Sequence, residues 1–282
     1  SPNIIFRNGI RGTGNLTLTY SGSGSPYFGI TGTTAVLEGT GTLTLPKADL
    51  HVSSATTITL TINKVLNIST TPALGTLLIE GTMNFVGFLF TGTANVNVVS
   101  AASVSTAHTE GFSTSTSPNK GSIQVSGIRT FSSAANYEFT GSATQVTGDF
   151  TQSTTPTINQ INNLKVSNTA AGAVTMSFGF TAAGTTIVNS SCILGTAAAT
   201  FTANGAVTMN GTFKSNQGGW ANGSGVWNYG TTGTLYYNNT SGIYSTINTD
   251  VYWPSANSPV NVTIPTGTTG VNVNSITRTI SG

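Results

Sequence analysis

Only 6% of the 282 residues are charged, nine basic against seven acidic, for a formal net charge of +2, where an ordinary soluble domain carries about a quarter charged residues. The basic residues are scattered singly, so the field is too weak to capture nucleic acid or an anionic membrane surface. A single cysteine, Cys192, excludes an internal disulfide framework and a cysteine-rich zinc site and reads as a small buried apolar residue.

The chain opens "SPNIIFRNG", with neither an initiator methionine nor a signal peptide, and stops at "SITRTISG" in the middle of an alternating pattern; both ends read as cut from something longer. Between them the period is two almost everywhere. "NLTLTY", "GTLTLP", "TTITLTIN", "TLLIEGTMNF", "ANVNVVS" and "SIQVSG" come first, followed by "NLKVSN", "AVTMSF", "TTIVNS", "ATFTANGAVTMNGTF", "GTLYYN", "VNVTIP" and "VNVNSI". Each puts apolar residues on one face and Thr or Asn on the other, as half-buried strands require. Gly, Asn, Ser and Thr clusters such as "SGSGSP", "SNTAAG" and "NNTSG" separate them with turn chemistry. No helical periodicity competes, and no apolar run approaches the roughly 18 residues of a spanning helix. Strands this short also argue against a membrane barrel.

Such a series fits a sandwich, a barrel or a parallel solenoid. GAVTM at Gly172–Met176 returns unchanged at Gly205–Met209, and a looser Gly-x-Leu/Val-x-apolar frame begins at Gly14, Gly41, Gly75, Gly172, Gly205 and Gly233, with "GVNVN" at Gly270 alternating one residue out of phase. Irregular spacing of this kind suits a β-helix, whose coils lengthen at loops while strands keep stacking. Coils of about 20–25 residues would give roughly a dozen turns, with inward Val, Leu, Ile and Phe forming a column and outward Thr and Asn forming uncharged ladders. The expected fold is therefore all-β, a parallel β-helix (β-solenoid), with tandem β-sandwiches as the alternative. Residues 1–218 are assigned to solenoid coils, clearest over 135–215, and 219–282 to aromatic-rich coils or an inserted subdomain that continues them.

The stretch 135–177 carries Tyr137, Phe139, Gly141 and Gln145 in a "Y-x-F-x-G-x-x-x-Q" pattern, followed by "INNLKVSN" at Ile161–Asn168. This resembles large secreted cell-surface proteins of Bacteroidota, adhesin-like repeat proteins associated with type IX secretion. The resemblance implies β-solenoid stretches, an extracellular, cell-surface location and a scaffold or adhesive role, and it brings no catalytic residues.

Independent signs of chemistry are few. Glu38, Asp49, Glu80, Glu110, Glu138, Asp149 and Asp250 are the whole acidic complement, no two within four residues, whereas a glycosidase needs a facing pair. His108 and Glu110 are two residues apart, a spacing that would put both on one face of a strand, but they lack a third partner, so His108 reads as a loop histidine. No nucleophile elbow or phosphate loop occurs. Thr-x-Thr runs such as "LTLTY" and "TITLTIN" could present an ice-binding hydroxyl array, though a ladder-stabilising role suits their uneven spacing better.

The one asymmetric feature is aromatic: Trp220, Trp227, Tyr229, Tyr236, Tyr237, Tyr244, Tyr252 and Trp253 crowd into one stretch. Exposed rings among amides grip sugars or an apolar partner; buried rings fill a wide coil. The expectation is a non-enzymatic extracellular segment of a large surface protein or filament, with no cofactor and no metal, able to self-associate through open coil ends. A carbohydrate-binding module, or a remnant polysaccharide-active β-helix, that contacts a surface polysaccharide through these rings is the alternative.

Overall fold

The structure, a computed structural model, describes all residues except 1–2, 19–26, 47–48, 61–63, 70–74, 114–119, 149–158, 170–172, 246–249, 267–269, 274–277 and 282. Gly172 of the first GAVTM, Asp149 and the "SGSGSP" turn fall outside the described residues. The protein is an all-β parallel solenoid of about nine turns. The count falls below a dozen because some coils are longer than expected, as where the chain travels from Val96 to its partner Arg129 on the next coil. The described residues form two compact units. The first runs to Tyr137 and takes in Gly148; the second comprises Glu138–Thr147 and continues from Asn159.

In the first unit each full turn contributes three strands to three parallel stacks. One contains Asp49–Val52, Thr76–Ile79, Asn95–Val98 and Arg129–Phe131. A second contains Thr57–Leu60, Thr82–Asn84 and Ser103–Thr106. The third contains Leu16–Thr17, Thr42–Pro46, Lys64–Ser69, Phe90–Gly92 and Ile123–Val125. The long strand Tyr27–Leu37 turns a corner, pairing with Asp49–Val52 through its first half and Thr57–Leu60 through its second. Coil length varies within this unit: the register Leu77↔Val96 closes a short coil, and Val96↔Arg129 a much longer one.

The second unit is more regular. Leu164–Val166, Thr186–Val188, Val207–Met209 and Trp227–Tyr229 form one stack. Val174–Thr175, Ile193–Gly195, Thr212–Asn216 and Thr234–Asn238 form another. Gln160–Ile161, Phe180–Ala182, Thr200–Ala203 and Trp220–Asn222 form the third. The registers Leu164↔Thr186↔Val207↔Trp227 set a nearly constant coil at the short end of the expected range. The two GAVTM copies therefore do not stack: Val174 pairs with Leu194, while Val207 pairs with Thr186 and Trp227. Their separation in sequence is not a whole number of coils.

Alternation does what the pattern requires. Ile58, Leu60, Met83, Val104, Leu77, Ile79, Val96 and Val98 are buried in the first unit, and Val188, Val207, Met209, Phe201 and Phe213 in the second. The outward residues are tied coil to coil. Asn84 donates to Thr59 at 3.3 Å and accepts Ser105 at 2.9 Å; Asn238 donates to Asn216 at 2.7 Å, Asn189 to Ser167 at 3.0 Å, and Thr202 to Asn222 at 2.6 Å. Uncharged groups thus satisfy one another across coils without the desolvation cost of charge.

Corners follow the same economy. Asn15, Asn95 and Asn163 each turn the side-chain oxygen onto a backbone N–H of the next coil, at Thr42, Ile128 and Thr185, over 2.7–3.0 Å. In the later coils of the second unit glycine takes over the corner of Asn163: a Cβ on Gly205 would lie 2.1 Å from the Gly184 carbonyl oxygen, and one on Gly225 2.1 Å from that of Gly205. The family-like motif has a physical reading as well. Gln145 and Asn168 are both buried, and Asn168 donates to Gln145 Oε1 at 2.5 Å and to the Ala143 carbonyl at 2.7 Å. The last residues of the two segments of that pattern are thus one hydrogen-bonded pair.

Candidate functional site

The aromatic cluster divides by strand parity. Trp227 and Tyr229 project inward above Val207 and Met209, and Tyr237 projects inward beside Leu235; with Tyr252 and Trp253 they are buried. Trp227 packs edge-on against Phe213 at 5.0 Å and Phe201 at 6.5 Å, and lies 6.5 Å from Tyr252. Tyr237 lies 5.5 Å from Tyr244 and 6.0 Å from Trp253. These five rings form the core of the last coils, and their faces are covered by protein.

Burial pushes the hydroxyls of Tyr229, Tyr237 and Tyr252 well above the usual phenol range, and does the same to Tyr137 in the first unit. An unfolded phenol ionises near pH ~10 while the buried one holds its proton. The native state therefore binds more protons above that pH, and its stability falls as pH rises through and beyond ~10. The expected result is a thermal midpoint that is level across neutral pH and falls on the alkaline side. Tyr237→Phe should flatten that fall; an unchanged slope would show that another group sets it.

Trp220, Tyr236 and Tyr244 keep open surface. Trp220 is the exposed tryptophan, at 46%, and projects outward from Trp220–Asn222 in register with Thr200. It lines a shallow groove of about 240 Å³ with Gln217, Gly218, Ser241, Ile243 and Tyr244. The groove is held rigidly: Tyr244 donates to the Gly219 carbonyl at 2.6 Å, and Gln217 Oε1 accepts the N–H groups of Thr240 and Ser241 at 2.9 and 3.0 Å. Among the described residues no charged side chain lines it. Tyr236 stands apart on the outer surface of Thr234–Asn238, with the Lys214 ammonium 5.2 Å from its ring centre.

A larger cleft of about 540 Å³ lies between Gly225–Trp227, Asp250–Val251, Trp253–Asn257 and Arg278. Its charged wall is internally matched. Arg278 Nη2 sits 3.6 Å from Asp250 Oδ2, Arg278 Nη1 donates to the Trp253 carbonyl at 2.7 Å, and the guanidinium lies over the Trp253 ring. Both side chains are mostly buried, so the pair clamps the last turns together. In the sequence this pair shows only as an acid inside an aromatic segment of a chain almost devoid of charge.

The other titratable pairs form within a turn or with an adjacent coil. His108 Nδ1 accepts the Glu110 N–H at 3.1 Å, and Glu110 pairs with Lys120 at 3.3 Å. Burial lowers the His108 pKa against the raising effect of Glu110. His51 lies 3.5 Å from Glu80 on the adjacent coil. Two cations occupy inward columns of the first unit: Arg129, in register with Val96, donates to Ser113 Oγ at 2.5 Å, and Lys64, in register with Phe90, has its pKa lowered by burial. Among the described residues no group of three or more His, Cys, Asp and Glu could hold a metal.

No family model, curated protein or solved structure matches this chain. A β-solenoid is an architecture consistent with a structural or adhesive repeat protein.

Proposed function

We propose that the chain is a non-enzymatic structural or adhesive segment of a large extracellular, surface-attached bacterial protein or filament. What supports this reading above all is how the outward polar side chains are used. The Asn, Ser and Thr groups at 59, 84 and 105, and those at 216 and 238, bond to the neighbouring coil, so the surface serves stacking. A segment of this kind is modular, and its role as a spacer tolerates a change of one coil. Unpaired strand edges at an uncapped coil end would support self-association of such segments.

Deleting residues 186–206 brings Val207 into the place of Thr186, which is its register partner one coil away. The shortened protein should fold, display and adhere like the parent. Adhesion lost by a folded deletion product would point instead to a specific site within that coil.

A second reading rests on the Trp220 groove. An exposed indole beside Tyr244 and Ser241, with no charge in the lining among the described residues, suits a neutral sugar ring stacked on Trp220. On a glycan array, Trp220→Ala should abolish any binding the parent shows, while Trp253→Ala should weaken it only through lost stability. Binding that survives Trp220→Ala would exclude the groove.

A further inference from the structure

Three Asn-Gly pairs lie in the regular part of the second unit, at Asn204–Gly205, Asn210–Gly211 and Asn222–Gly223. In such a pair the glycine nitrogen can reach the asparagine side-chain carbon because no Cβ stands in the way. Whether it does so in the folded protein depends on what restrains the attacking N–H and the carboxamide.

The three pairs are restrained differently. At Asn210 the nucleophile is engaged: the Gly211 N–H donates to the Val188 carbonyl at 3.2 Å, the Asn210 N–H to the same oxygen at 2.9 Å, and the Asn210 carbonyl accepts Thr232 Oγ1 at 2.5 Å. At Asn222 the electrophile is held, because its Oδ1 accepts Thr202 Oγ1 at 2.6 Å. Asn204 is exposed at the corner between Thr200–Ala203 and Val207–Met209. Its backbone is fixed, with N–H donating to Ala182 at 2.9 Å and the carbonyl accepting Ser224 Oγ at 3.4 Å. Among the described residues neither its carboxamide nor the Gly205 N–H has a hydrogen-bond partner.

We propose that Asn204 is a site of spontaneous deamidation, the fastest of these three. The Gly205 nitrogen bonds to Asn204 Cγ and gives up its proton; the Cγ–Nδ2 bond breaks and ammonia leaves, closing a succinimide. Water then opens the imide at either carbonyl, yielding aspartate or isoaspartate, with no change of oxidation state. Either product places a carboxylate on a surface that has almost none. Isoaspartate also adds a backbone carbon beside Gly205, at a corner where a Cβ would already lie 2.1 Å from the Gly184 carbonyl oxygen.

The test is incubation of the folded full chain at mildly alkaline pH, with peptide mapping to follow the mass gain of amide-to-acid conversion at each asparagine. Conversion at Asn204 should run several-fold ahead of Asn210 and Asn222. In urea, where the restraints vanish, the three rates should converge. Thr202→Val, which releases the Asn222 carboxamide, should raise Asn222 several-fold and leave Asn204 unchanged. Asn210 or Asn222 matching Asn204 in the folded protein, or the same ranking persisting in urea, would overturn the proposal.

Discussion

Replacing Trp227 with alanine is expected to destabilise the second unit by about 3–5 kcal/mol, the cost of removing a large buried aromatic side chain. Trp227 is 1% exposed and is surrounded by Phe201, Phe213, Tyr229 and Tyr252 with ring centres 5.0 to 6.5 Å away. Rings this closely interlocked cannot collapse into the space an indole leaves, so both the transfer and the cavity contributions are felt. Its strand is in register with Val207–Met209, so the damage should reach the coil beneath. Chemical denaturation followed by far-ultraviolet circular dichroism measures the loss. A cost below about 1 kcal/mol, the range of surface substitutions and mild core swaps, would mean that the ring cluster is not the core of these coils.

Gly205→Ala should cost about 1–3 kcal/mol through overpacking alone. The added methyl would sit 2.1 Å from the Gly184 carbonyl oxygen, which is backbone and cannot swing aside. Relief would require the Gly184–Gly205–Gly225 column to spread, lengthening the hydrogen bonds Asn204 N–H to Ala182 and Gly225 N–H to Ala203, at 2.9 and 2.8 Å. Gly87→Ala is the control, since a Cβ there meets nothing within 4 Å. Near-neutral behaviour, or a slight gain from a less flexible unfolded chain, is expected at Gly87. Equal midpoints for the two variants would show that corner crowding does not limit coil spacing.

Most of the fold was legible because parity is a local property. In "TITL", "TLLI" and "NVNV" every second residue is buried, as the sequence alternation requires. The approximate coil length was also legible, and the second unit adopts the short end of the expected range. The frame that begins with glycine was a poorer guide. A corner glycine followed by alternating residues suits any of three stacks, so two identical pentapeptides occupy different ones. Which stack a strand joins is fixed by the coil beside it, which no short word encodes.

A better marker lay in the turns. Thr56, Ala102, Ala135 and Cys192 each donate their N–H to the carbonyl three residues earlier, at Ser53, Val99, Ser132 and Asn189, closing the same compact turn before a strand. The small-residue words "SSAT", "VSAA", "SSAA" and "NSSC" spell it. The rings posed a different problem. Parity within "WNY" puts Trp227 and Tyr229 on one side, but only pairing with buried Val207 and Met209 says that this side is inward. Trp220 took the opposite fate because its neighbour Ala221 is the inward residue.

The hydroxyl and amide ladders carry one more consequence. At 0.1 M salt charges are screened beyond ~10 Å and at 1 M beyond ~3 Å, so a protein that is held together by ion pairs loosens as salt rises. Here the ladder contacts from coil to coil are dipoles at hydrogen-bond distance, partly exposed pairs such as Arg11–Glu38 and Lys165–Glu138 add little, and the mostly buried Arg278–Asp250 pair is screened least. A chain built this way keeps the same cohesion in dilute buffer and in brine.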